Sequence, residues 1–456
     1  MKILTAREIA AITGGEILCG DPDTPITDIQ YDSRAVKEGT LFVPIKGARV
    51  DAHRFIEDCL KNGASASLTE YDAPENADKP YIKVSNTLDA LQQLAADYRK
   101  RFHIRLIGVT GSVGKTSTKE MIAAALSEGF DLMKTQGNKN SQIGMPMTMF
   151  EIEEQNDVAV IEMGMSEFGE MERLCAVACP NIAVMTNIGT AHIENLKTRE
   201  NIMSEKLKIT NAFDENSVLF LNGDDDLLVT LHQQQPFRTV TFGLGENCDY
   251  RAENIRTKGF RTEFTCCHSG TREDYTIPAL GVHNVKNALV AIAVAELLGL
   301  DKETIQNGLS RYQNAPMRQQ IHDLGKIVVI DDTYNASPEA TVVSLDVLKS
   351  VAKGKAIAVL ADMLELGEEA AALHYGVGKH LAQLGIDTLI TVGSLSEHTA
   401  KGARDNGCND TQSFSTNTDA FNCLKGKITD GCTILVKGSR GMHTDEIVEK
   451  ILKIDT

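Results

Sequence analysis

No CxxC pair occurs among the ten cysteines, which are scattered from Cys19 to Cys432. A disulfide-stapled secreted framework is therefore excluded, and free thiols in a reducing compartment are expected. Nor does any apolar stretch approach the roughly 20 residues needed to cross a bilayer, so no membrane span is expected. The first apolar run breaks at Arg7 and Glu8, so no signal peptide is expected and the protein is expected to be cytoplasmic. Positive charge is also short: 46 Lys+Arg against 63 Asp+Glu leave a net charge of −17. That deficit excludes nucleic acid and membrane surfaces as broad partners, because both are anionic. It leaves room for an anionic small molecule held by a few local cations. Internal repeats and low-complexity tracts are absent too.

What is present is ordinary in composition and informative in pattern. At roughly 100–200 residues per domain, the chain predicts two to four domains, and its 456 residues divide by pattern into 1–86, 87–313 and 314–456. All three read as α/β. In the first, Thr5 to Glu8 form a capping box, Thr40 to Ile45 and Ala64 to Thr69 read as strands, and Phe55 to Lys61 as a helix between them. Tyr71 to Pro80 reads as a loop. In the second, the compact apolar runs Ile104 to Val109, Val158 to Met163, Ile182 to Asn187 and Val218 to Asn222 suit parallel strands covered on both faces. Helices between them predict a doubly wound, mostly parallel sheet. Residues 249–278 alternate polar and apolar, predicting antiparallel strands appended to it, and an Ala-rich helix is expected from Asn284 to Leu298. In the third unit, strands are expected at Ile327 to Ile330, Ala356 to Leu360, Thr388 to Val392 and Thr433 to Val436, with a last helix from Thr444 to Lys453.

The strongest chemical signal is Ile107-Gly-Val-Thr-Gly-Ser-Val-Gly-Lys-Thr-Ser117, between a strand and a helix. Thr110, Gly111, Ser112, Val113, Gly114 and Ser117 make a P-loop whose N–H groups approach phosphate oxygens. Lys115 can reach the β/γ-phosphates, and the Thr116 hydroxyl suits Mg²⁺. The usual spacing wants glycine where Val109 stands, with Gly108 one residue further back. Glu162 and His192 each follow an apolar run, which puts both at carboxyl ends of strands, where open α/β sheets bind ligands. A solvated strand-end Glu and a surface His are the plain alternatives. Lys206 lies in a helical pattern whose spacing assigns it to a solvated face. Asp224, Asp225 and Asp226 read as a turn with a helix cap rather than a metal cluster.

Asn284 and Asn287 open the long helix; their amides could read a base edge, or Asn284 could be the N-cap. Arg318 offers a cation for a γ-phosphate, while Asp332 and Tyr334, after a strand, could meet a ribose and a base. Lys437, Ser439 and Arg440 follow another strand, and the two cations suit a carboxylate. Cys266-Cys267-His268 could suggest a metal nest, but neighbours on a strand point to opposite faces, so free thiols are expected there.

Over nearly its whole length the chain resembles the Mur ligase family. The resemblance is carried by the variant P-loop and by Asp32 to Gly47, Gly137 to Pro146, Asp331 to Pro338 and Leu360 to Gly367, with Ala361 where many relatives have Gly. It implies a C-terminal Rossmann-like domain and ATP-driven amide formation through an acyl phosphate. The implied substrates are UDP-N-acetylmuramoyl-tripeptide and D-alanyl-D-alanine, and a monomer is expected. Two Mg²⁺ ions are implied, on Thr116, Glu162, His192 and an N-carbamylated Lys206. Lys115 and Arg318 are implied to act on phosphate. Asn138, Asn284, Asn287, Asp332 and Tyr334 are implied for the nucleotide, and Ser33, Arg34, Lys46, Asn140, Lys437, Ser439 and Arg440 for the other substrates. A relative adding a single amino acid, a folate–glutamate ligase and a P-loop regulatory hydrolase are the rival expectations.

Overall fold

The computed structural model describes residues 1–47 and 49–454. Three sheets carry the chain. The first has five strands in the order Glu16–Cys19, Tyr81–Lys83, Ala66–Thr69, Thr40–Phe42 and Asp28–Gln30, parallel except for its first strand. The capping box at Thr5 and Glu8 forms as expected and opens the helix Ala6–Thr13. Both predicted strands of this unit are shorter than their apolar runs, the first ending at Phe42 and the second starting at Ala66.

The second sheet has nine strands and places the P-loop. Arg105–Thr110 lies between Val158–Glu162 and Ile182–Met185, all parallel. Chain order reverses across Arg105–Thr110, which makes its carboxyl end a topological switch point. Beyond Ile182–Met185 come Val218–Asn222 and Arg238–Gly243. The antiparallel strands Tyr250–Lys258, Arg261–His268 and Thr271–Ile277 then complete that edge. Residues 249–278 are thus the appended antiparallel strands that their alternation predicted. The strands of the switch point are buried along their length apart from Arg105, as continuous apolar runs require.

The third sheet runs Gln320–Asp323, Val328–Asp332, Thr433–Lys437, Ala356–Ala361, Thr388–Val392, Thr411–Phe414, parallel except at the first pair. Sequence patterning missed the edge strands Leu132–Lys134, Gln320–Asp323 and Thr411–Phe414, which are short and only partly buried. The long helix runs Val282–Leu297 with Gly281 as N-cap at φ 86°, so Asn284 lies inside the first turn and is not the cap. Among the described residues no helix is long and apolar enough to cross a membrane, and all ten cysteines are free.

Candidate active site

The P-loop forms where a glycine backbone is demanded. Gly111 sits at φ 147°, and a Cβ there would collide with the Thr186 hydroxyl. Gly114, at φ 87°, is the left-handed N-cap of the helix Lys115–Leu126. Val109, where the usual first glycine is missing, lies inside the strand and is fully buried. The turn therefore starts at Gly111, and the earlier position has no loop to serve. Asn187 clamps the loop: its Oδ1 accepts from the Val113 N–H at 2.9 Å, and its Nδ2 donates to the Val113 carbonyl at 2.9 Å. Sequence reasoning passed over Asn187, although it ends a predicted strand run beside the P-loop strand.

Glu162 pairs in register with Val109, so its carboxylate emerges beside the loop. It accepts from the Thr116 hydroxyl at 2.9 Å and from Asn140 Nδ2 at 2.6 Å. Among the described residues it forms no ion pair, which leaves a buried carboxylate balanced only by neutral donors and the nearby Lys115. Hard oxygen donors around uncompensated negative charge fit Mg²⁺. Lys115 Nζ donates to the Gly111 carbonyl at 2.9 Å, and burial, with Arg318 adding, pushes its ammonium down.

His192 stands at φ 63°, half-buried, with Nδ1 3.8 Å from Glu365 Oε2 of the third unit. Burial, then Lys115 and Lys206, lower its pKa and favour the neutral imidazole. Lys206 corrects its own helical pattern: it is 1% exposed, not solvated, with Nζ donating to the Gly111 carbonyl at 3.1 Å. The helix Arg199–Leu207 lies beneath the P-loop, so the face that spacing assigned to water meets the loop instead. Burial first, and Lys115 second, push the Lys206 ammonium far down. Asp225 is a turn cap, as expected, accepting from the Leu227 and Leu228 N–H groups. Asp224 and Asp226 pair with Lys286 and Arg199.

The third sheet presents its own carboxyl edge to this crevice. Asp332 and Lys437 are register partners, joined at 2.6 Å between Oδ2 and Nζ and both buried. Arg318 stacks on the Tyr334 ring at 4.1 Å. Glu339 Oε1 accepts from the Thr190 hydroxyl at 2.9 Å across the junction, and His192 faces Glu365 there. Between the two sheets lies a cavity of about 610 Å³.

Lys115, Glu162, His192, Arg318, Asp332, Tyr334, Asn140, Lys437, Ser439 and Arg440 line this cavity, with residues 112–114, Thr116 and Ser117 of the loop. Asn284 and Asn287 line it too. However, Asn284 Nδ2 donates to the Leu280 carbonyl and Asn287 Oδ1 accepts from the Thr118 hydroxyl, so part of each amide is already committed. Thr110, Gly111 and Lys206 sit behind the loop, outside the lining, and Asn138 is exposed beside it. Ser33, Arg34 and Lys46 lie in the first unit and do not line the cavity. Arg34 pairs with Asp32 at 2.7 Å and Lys46 with Glu70 at 2.5 Å. His283, Glu339 and residues 364–366 line the cavity without having been singled out as site residues.

Three family models match in sequence order. They are the Mur ligase family catalytic domain over residues 25–99, the Mur ligase middle domain over 109–295 and the Mur ligase glutamate ligase domain over 317–440. The chain is 37% identical over 455 residues to the UDP-N-acetylmuramoyl-tripeptide–D-alanyl-D-alanine ligase of Bacillus subtilis, covering 98% of each. It is 32% identical to the Escherichia coli protein of that name, covering 99% of each. A crystal structure of MurF from Acinetobacter baumannii superposes with TM-score 0.92 at 30% identity, covering 100% of each chain. MurF ligase from Thermotoga maritima in complex with ADP superposes at TM-score 0.84 and 28% identity, over 92% of this chain and 96% of that one.

Proposed function

The chain belongs to the Mur ligase family, and from that premise we propose that it joins D-alanyl-D-alanine to UDP-N-acetylmuramoyl-tripeptide with ATP. The observation that carries this is the single cavity in which a P-loop with Lys115 and Glu162 faces Arg318, Asp332 and Lys437 from a second sheet. A nucleotide hydrolase needs only the first of these walls. Joining two substrates needs a place where both are held against the phosphate and shielded from water.

The peptide carboxylate attacks the γ-phosphorus, forming an acyl phosphate and releasing ADP. The amine of the dipeptide then attacks the acyl carbon and phosphate departs. Lys115 and the loop N–H groups hold the nucleotide phosphates, and Arg318 faces them from across the cleft, where charge spreads in the transition state. Lys437 is held by buried Asp332 at 2.6 Å, whereas Arg440, exposed at the cavity rim and 3.4 Å from Asp445, is the freer cation for a substrate carboxylate. Thr116, Glu162, His192 and a carbamate on Lys206 would hold two Mg²⁺ ions, whose chemistry is neutralisation of phosphate charge. The burial that drives Lys206 toward its neutral amine supports this, since only the neutral amine adds carbon dioxide to form a carbamate. Ser33, Arg34 and Lys46 would meet the uridine nucleotide in the first of three domains, 1–86, 87–313 and 314–456. Ten free cysteines support a reducing compartment.

The test is phosphate release by the purified chain with each substrate withheld in turn. Release that requires ATP, UDP-muramoyl-tripeptide and D-alanyl-D-alanine together is expected. Turnover with a single amino acid, or release that ignores both acceptor and amine, would sink the assignment.

A further inference from the structure

The appended antiparallel strands place a second set of ligating groups well apart from the P-loop crevice. Cys266 and Glu273 are cross-strand partners, and His268 lies two residues on from Cys266, on the same face of its strand. The helix Val282–Leu297 covers that face and sends Glu296 down onto it. The His268, Glu273 and Glu296 ligand atoms all fall within 4.8 Å of one another. None of the three lines the active-site cavity.

Two features separate this group from an ordinary ion pair. His268 Nε2 stands 3.2 Å from Glu296 Oε1, yet it is shut off from solvent and has no hydrogen-bond partner. A buried imidazole nitrogen this near a carboxylate, with no aligned bond to it, is costly unless another group satisfies it. Zinc bonds of about 2.0–2.2 Å in tetrahedral geometry hold neighbouring donor atoms about 3.4 Å apart, close to this spacing. The second feature is orientation. Tyr250 donates its hydroxyl to Glu296 Oε2 at 2.7 Å, and Tyr275 donates to Glu273 Oε2 at 3.0 Å. Each tyrosine occupies one oxygen and leaves the other for a ligand. The Tyr250 ring also stacks on His268, 4.7 Å between centroids at 7°, and fixes the imidazole plane. Among the described residues neither glutamate pairs with Lys or Arg. One imidazole and two carboxylates, each braced by an outer partner, match the donor chemistry of a zinc-type cation.

We propose that His268, Glu273 and Glu296 form a structural site for a borderline divalent cation of the Zn²⁺ class, which ties the antiparallel strands to the helix Val282–Leu297. The cysteines take no part: Cys267 faces away, and the Cys266 sulfur is not among the converging ligand atoms. The nest suggested by Cys266-Cys267-His268 therefore keeps only its histidine.

The full-length chain would be titrated with Zn²⁺ against a competing chelator, and with Co²⁺ by visible absorption. One equivalent per chain is expected, with weak d–d bands and no thiolate charge-transfer band. His268→Ala and the nearly isosteric Glu296→Gln should each weaken binding by more than the roughly 10–100-fold that outer-partner changes cost. Cys267→Ser should bind as the parent does. Circular dichroism of the zinc-free variants and their ATP-dependent ligation with Mg²⁺ supplied establish that they are folded, and Glu296→Gln keeps the test valid should His268→Ala unfold. Absence of binding, equal binding by parent and both variants, or a thiolate band would overturn the proposal.

Discussion

The cations of the first unit and those of the cleft between the second and third sheets carry the same charge in opposite surroundings. Arg34 has an 88% exposed side chain and lies against its sequence neighbour Asp32, while Lys46 is exposed against Glu70. Lys206 and Lys437 are 1% and 3% exposed. An exposed pair is screened by water and salt, so it breaks and re-forms at little cost to the fold. A buried cation is deprived of hydration, and its charge state becomes a property of its neighbours. Arg34 can therefore change partner at little cost, whereas Lys46 is held by the largely buried Glu70. The cleft has groups whose protonation and position are set before any ligand binds.

That contrast is open to attack, beginning where burial is deepest. Lys206→Ala should lower ligation by at least about 1,000-fold, the scale of losing transition-state charge stabilisation, and added bicarbonate should not restore it. Near-normal turnover would return Lys206 to a packing role. Glu162→Gln keeps the shape and both hydrogen-bond neighbours but removes the charge. At limiting Mg²⁺ it should lower kcat by about 100-fold, and full activity there would remove Glu162 from metal binding.

His283 tests the same idea through stability. Burial lowers its pKa from 6.5 to about 4, so the unfolded chain binds more protons between those values. Stability should be complete above about pH 6.5 and fall as pH drops toward 4, by at most about 3 kcal/mol and by less because the ring also lines the cavity. Thermal melts across that range should show the slope, and His283→Gln should flatten it. A slope unchanged in the variant would assign it to other groups. Smallest of all is Arg34→Ala, which should leave the melting temperature unchanged and raise KM for the UDP-linked substrate about tenfold, as loss of one charged contact would, with KM for ATP unaltered. A drop in stability would show that the Asp32 pair is structural after all.

Much of the frame was legible in the chain. Continuous apolar runs marked the buried parallel strands, because a strand covered on both faces has no polar side to interrupt it. Val218–Asn222 and Thr388–Val392 match their runs residue for residue. Edge strands such as Gln320–Asp323 stayed hidden, since half of each faces water and the apolar signal is diluted. The Asp225 cap is legible, because Asn-Gly followed by Asp is local chemistry. Lys206 was not legible from spacing: nothing within its helix shows that a P-loop about ninety residues earlier will lie on it. Asn187 was missed for the same reason, its clamp on Val113 being made between strands.

By itself the sequence determined the local elements, the phosphate loop and, through shared motifs, the family. Each depends on neighbours a few residues apart or on motif strings read whole. Tertiary structure alone decided that Asp332 and Lys437 pair, that Glu339 bridges to Thr190 and that His268 meets Glu273 and Glu296. These groups lie far apart along the chain or on different elements, and only the parallel register and the closure of one sheet edge onto another bring them within bonding distance. The net charge of −17 describes the whole surface. The cleft cations were placed by folding, which is why an acidic chain can gather cations in one cavity.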